Sequence, residues 1–88
     1  MQFEFDPRKS KKNKEKHGID FVEAQRLWED EDRLEIEARS DDEPRLALIA
    51  TVEGKLWSAF FTYRGEQRVR LISVRRAREK EEQLYYEG

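Results

Sequence analysis

The chain has 88 residues, of which 43% are charged and 36% hydrophobic; its net charge is −2 and it has no cysteine. That length predicts one domain, 1–88, with a small core, and the missing cysteine excludes disulfides and cysteine-held zinc. No apolar run nears the ~20 residues of a membrane span and the N-terminus carries no signal-peptide core, so a cytoplasmic protein without membrane contact is expected.

Gln2 to Phe5 alternate polar and aromatic residues, as a short edge strand does. Asp6-Pro7 reads as a helix start, with Asp accepting from free N–H groups and Pro losing nothing at the first helical position. The helix Pro7 to Lys16 has no apolar residue after Pro7. It is expected to lie on the surface, held by lysine stems and by its flanks. Gly18 follows as a left-handed cap. Asp20 and Glu23 form the Asp variant of a capping box. Phe21, Ala24, Leu27 and Trp28 then recur at helical spacing and predict a second, amphipathic helix.

Leu34 and Ile36 alternate with Glu35 and Glu37 as a strand with one wet face. Asp41-Asp42-Glu43-Pro44 predicts a turn, and Arg45 to Val52 an apolar strand. Glu53-Gly54 and Arg64-Gly65-Glu66 predict two hairpins, leading into strands Lys55 to Tyr63 and Gln67 to Val74. Ala77 to Tyr86 predicts a closing helix. The fold class is α+β, with a short N-terminal strand, two helices, an antiparallel meander and a C-terminal helix, and helices on one side of the sheet.

Charge is sorted along the chain. One basic block runs Arg8, Lys9, Lys11, Lys12, Lys14, Lys16 and ends at His17, the single histidine. A second runs Arg64, Arg68, Arg70, Arg75, Arg76, Arg78, Lys80, and an acidic stretch from Asp20 to Glu43 separates them. A near-neutral total thus hides basic surfaces that attract phosphate, which makes nucleic acid the first expected partner. In a regular strand Arg70, Ile72, Val74 and Arg76 share one face, and Leu71, Ser73 and Arg75 the other. One of Arg75 and Arg76 then faces a site and its neighbour does not. Trp57, Phe61 and Tyr63 form an aromatic row, expected as core rather than as a base-stacking platform. The sequence contains no phosphate-cradling glycine loop, nucleotide fingerprint or calcium loop.

Two motif blocks carry a family resemblance. The first is Phe3-Glu4-Phe5-Asp6-Pro7 with Lys9, Asn13, Lys16-His17-Gly18-Ile19, Phe21 and Ala24. The second is Thr62, Arg64, Arg70, Ile72-Ser73, Arg75-Arg76-Ala77, Glu81 and Tyr85. Together they resemble the BrnT ribonuclease toxins of bacterial type II toxin–antitoxin pairs. Phe5 stands where Trp is common, Ala50 replaces a usual Gly, Val74 a usual Ala, and Arg78 the Thr or Ser that caps the last helix.

The resemblance implies a RelE-like fold and metal-independent RNA cleavage without a cofactor. It also implies a BrnA-type ribbon-helix-helix antitoxin. DNA contact comes only through that antitoxin, and a toxin–antitoxin heterotetramer is the assembly it allows. Such cleavage needs a base for the 2′-hydroxyl, positive charge on the phosphorane and an acid for the 5′-oxygen. His17 is the expected proton-transfer group, and Arg64, Arg75 and Arg76 the expected phosphorane stabilisers, because a guanidinium grips two phosphate oxygens and stays charged. Lys9, Lys16, Arg70 and Ser73 are expected RNA contacts. A single histidine leaves the second proton-transfer role to Glu81 or Tyr85, or unfilled. The alternative is a non-catalytic RNA- or protein-binding module, a degenerate toxin of the same fold.

Overall fold

The computed structural model describes residues 1–39 and 44–88; the turn expected at Asp41-Asp42-Glu43 lies outside them. In chain order the elements are β1 (Gln2–Glu4), α1 (Pro7–His17), α2 (Phe21–Ala24), a 3-10 turn (Gln25–Glu29), β2 (Leu34–Ala38), β3 (Arg45–Val52), β4 (Lys55–Tyr63), β5 (Arg68–Arg76) and α3 (Glu79–Glu87). The five strands form one sheet in the order β1-β5-β4-β3-β2. β1 pairs parallel with β5, and the other neighbours are antiparallel.

Local chemistry sets the ends of these elements. The Asp6 carboxylate accepts from the Arg8 N–H at 2.8 Å, and Pro7 opens α1. Gly18, at φ 83°, closes α1 by donating its N–H to the Lys14 carbonyl at 2.9 Å. The Asp20 and Glu23 side chains cap each other's backbone N–H groups at 2.9 and 2.7 Å. Glu53 and Gly54 both take positive φ, 52° and 76°, which is the backbone a two-residue hairpin needs. At α3, Arg78 has no acceptor with which to cap the helix. Its N–H instead donates to the Glu81 carboxylate at 2.8 Å, so one half of a capping box starts the helix two residues later than Ala77.

The second helix is shorter than its periodicity predicts. It stays α-helical only to Ala24 and then winds tighter. That winding carries Leu27 into the core and sets Trp28 between Phe3 and Phe61, with ring centroids 5.0 and 5.2 Å away. The core fills the face of the sheet under α1 and α2. Phe21, Leu27, Leu48, Ala59, Phe61, Val69 and Val74 are fully buried there.

Helices do not keep to that side. Ser58 pairs with Ile49 and Arg75, and it points away from the Trp57–Ala59 face. Its hydroxyl meets Glu81 of α3 at 2.9 Å, so α3 covers the opposite face. The expectation of one-sided helices fails because that face carries apolar residues of its own. Ala47, Ile49 and Leu56 are all buried on it, and one helix layer cannot cover both faces.

α1 is docked by polar groups. Ser10 and Asn13, three residues apart on one helix face, are 7% and 6% exposed. The Ser10 hydroxyl accepts from the Phe21 N–H at 2.9 Å. The Asn13 amide donates to the carbonyls of Ile19 and Val74 at 2.8 and 2.9 Å, and its oxygen accepts from the Val74 N–H at 3.1 Å. Lysine stems alone do not hold this helix to the sheet.

Candidate active site

β5 is not a regular strand. Phe60 pairs with Ser73 and Phe61 with Leu71, so Ile72 is an extra residue in the ladder. This bulge changes the expected sorting of side chains. Arg70 joins Ser73 and Arg75 on the α3 face, while Leu71 joins Val74 and Arg76 on the α1 face. Arg75 and Arg76 still point to opposite sides, as their adjacency requires.

The two arginines have different surroundings. Arg75 grips Glu81 with two bonds, 2.8 and 2.9 Å, and its guanidinium lies 5.0 Å from the centre of the Phe60 ring. With side chains only 21% and 16% exposed, this pair is half-buried structure. Burial works against the charge of Glu81, but hydrogen bonds from Arg75, the Arg78 N–H and Ser58 outweigh it and hold the carboxyl below its ordinary range. Arg76 is exposed. Its Nε donates to the Leu56 carbonyl at 3.2 Å and its guanidinium lies 5.4 Å from the centre of the Trp57 ring. No carboxylate pairs with it among the described residues.

His17 lies on the docked side of α1. Ser10, Asn13 and His17 follow the helical repeat down one face, and His17 is half-buried. Asn13 is bound to Val74, two residues before Arg76 on the same strand face. His17 and Arg76 therefore belong to the same side of the sheet, each a short step beyond one shared contact. Lys14 bonds Glu23, and Arg26 bonds Glu53 in the β3–β4 turn, so the end of α1 is tied toward the end of the sheet that carries Arg76.

The remaining expected site residues are elsewhere. Arg76 pairs with Trp57 at one end of the β4–β5 ladder. Arg64 follows Tyr63 at the other, and its N–H donates to the Arg68 carbonyl at 2.8 Å. The steps from Trp57 to Tyr63, at about 3.3 Å per residue, put the two some 20 Å apart. The ladder does not bring Arg64 together with Arg76. Arg70 is bound to Glu4 at 2.8 Å, on the far face with Ser73. Glu81 is engaged as described, and Tyr85 donates to Asp30 at 2.7 Å. Burial and that bond push the Tyr85 hydroxyl up to about 12, so it keeps its proton near neutrality. Lys9 and Lys16 are exposed on α1.

Asn13 is the residue that sequence reasoning passed over. It stood in the first motif block without a role. The signal was the spacing of Ser10, Asn13 and His17, a helical stripe of polar residues where an apolar stripe is missing.

Comparison with known proteins bears on this arrangement. A model of the family described as "Ribonuclease toxin, BrnT, of type II toxin-antitoxin system" matches residues 5–81. The fold is similar to the 1.1 Å crystal structure of the Brucella abortus ribonuclease toxin BrnT. The TM-score is 0.70 at 24% identity, covering 90% of this chain and 99% of that one. No match is found among curated proteins. The family match covers both motif blocks apart from Phe3, Glu4 and Tyr85, together with the β5 bulge and the polar dock of α1, and on it the chain belongs to the BrnT family of ribonuclease toxins.

Proposed function

We propose that this chain is a metal-independent endoribonuclease that arrests growth when free of its antitoxin. His17 takes the proton from a 2′-hydroxyl, and the 2′-oxygen attacks the adjacent phosphorus. The bond to the 5′-oxygen breaks, leaving a 2′,3′-cyclic phosphate, and the departing oxygen takes a proton from water. Arg76 stabilises the charge that gathers on the phosphorane. Arg75 supports the strand through Glu81, and Lys9 and Lys16 follow the RNA backbone. The antitoxin is of the BrnA ribbon-helix-helix type. It contacts DNA on the toxin's behalf and forms a heterotetramer with it.

The observation that carries this reading is the Asn13–Val74 clamp in a chain of the BrnT family. It ties the helix bearing the lone histidine to the strand bearing an exposed arginine that no carboxylate pairs among the described residues. Purified protein should cut RNA in EDTA and spare a substrate with a single 2′-deoxy at the cleavage position; cleavage of that substrate eliminates the mechanism. His17→Ala and Arg76→Ala should each cost about 10²-fold in rate. Losses below about threefold at both would remove these assignments. Expression should arrest growth, and a co-expressed antitoxin should relieve it.

A further inference from the structure

The end of the sheet that carries Arg76 holds a second cation. Lys55 opens β4 and pairs with Val52 across the Glu53-Gly54 turn, whose positive φ angles of 52° and 76° set where the strand begins. Lys55 and Trp57 are alternate residues of β4 and share its α1 face. Trp57 pairs with Arg76, so Lys55 and Arg76 are diagonal neighbours on that face, about 7–8 Å apart. Arg76 leans the same way. Its guanidinium lies over the Trp57 ring, and its Nε donates to the carbonyl of Leu56, the residue after Lys55. The ladder holds through this point, because the Ala77 N–H donates to the same carbonyl at 3.0 Å. Lys55 is exposed, and no carboxylate pairs with it among the described residues. Glu53, the acid nearest to it in sequence, is turned to Arg26.

We propose that Lys55 is the general acid of the cleavage, an inference that rests on the ribonuclease reading. As the bond between phosphorus and the 5′-oxygen breaks, both of its electrons stay with the oxygen. The Lys55 ammonium gives that oxygen a proton and becomes a neutral amine, which water then reprotonates. Water is still the net proton source, but full negative charge never builds on the leaving oxygen. A lysine suits this step, because it carries its proton at neutral pH and brings three donors on a flexible stem. Arg76 cannot take the role, since a guanidinium does not give up its proton. Glu81 is held ionised by Arg75 on the other face of the sheet, and Tyr85 is bound to Asp30. His17 reaches this end from α1, which is pinned over β5, and Lys55 reaches it from β4. Base and acid thus approach from different elements, which suits an attack in line with the bond that breaks.

The test uses two RNA substrates of one sequence. One is ordinary RNA. In the other a sulfur replaces the 5′-oxygen of the cleaved linkage, so that a thiolate leaves without needing a proton. Lys55→Ala should lower kcat on ordinary RNA about 10²-fold and leave KM within about threefold of native. It should cut the sulfur substrate at close to the native enzyme's rate, whereas His17→Ala stays slow on both. Lys55→Arg keeps the charge but does not donate its proton, so it should remain at least about tenfold slow on ordinary RNA. Because Lys55 is exposed, neither variant should shift the melting temperature. A loss below about threefold in Lys55→Ala would overturn the proposal. So would full recovery in Lys55→Arg, or an equal loss on both substrates, whether or not the melting temperature falls. Native protein that cuts neither substrate would refute the ribonuclease reading and the acid role with it. Native cleavage that survives Lys55→Ala removes Lys55 alone.

Discussion

Asn13→Ala probes the joint on which the site depends. The native side chain makes three hydrogen bonds of 2.8 to 3.1 Å in a position 6% exposed. Truncation strips partners from the Ile19 carbonyl and from both backbone polar groups of Val74. A buried group left unpaired costs about 1–3 kcal/mol, and partial access of water to the vacated space favours the low end. The expected loss is about 3 kcal/mol, a large share of the stability of a domain this size. At roughly 4–8 °C per kcal/mol it lowers the melting temperature by about 12–24 °C. Thermal unfolding followed by circular dichroism measures the shift, and amide exchange at Val74 reports the local opening. RNA cleavage well below the melting point should also fall, because His17 and Arg76 lose their common reference. A shift below about 4 °C with native Val74 exchange would refute the argument that polar bonds dock α1.

The two adjacent arginines should separate by assay. Arg75→Ala should cost about 2 kcal/mol in a denaturant melt, through loss of the bidentate pair, with little change in the catalytic rate of the folded protein; Arg76→Ala should do the reverse. Glu81→Gln should lose a similar amount of stability and flatten the acid limb of the stability curve. The Glu81 carboxyl titrates lower folded than unfolded, so its contribution is complete above the unfolded value of about 4.3 and disappears as pH falls through the folded one. Equilibrium unfolding from pH 7 to pH 3 checks this, and parallel curves for native and Gln forms would count against it. Gly18→Ala should cost about 1 kcal/mol by backbone strain alone, since a Cβ there meets no atom within 4 Å. A neutral result in a thermal melt would mean that the left-handed cap is dispensable.

The local signals in this chain were legible because they act over a few residues. Asp6-Pro7, Gly18, the Asp20–Glu23 box and Glu53-Gly54 each depend on backbone groups at most four positions away. Strands β3 and β4 followed from apolar runs between turn residues. The two motif blocks carried the family without any coordinates. The chemistry of His17 and of the arginines was legible as residue type, and not as placement.

The order and ends of most elements, the family and the supply of charged groups are thus written along the chain. Tertiary structure alone decided that α3 crosses to the second face and that Ile72 bulges and moves Arg70 to the side of Arg75. It also decided that Glu81 claims Arg75, that Asn13 fastens α1 to β5 and that Arg64 stands a ladder's length from Arg76. Each of these depends on a partner distant in the chain: Asn13 and Val74 are 61 positions apart, and Ser58 and Glu81 are 23. Periodicity along one segment carries no information about which remote backbone or carboxylate will meet it. Only packing, which must cover both faces of one sheet and pair every buried polar group, selects those partners.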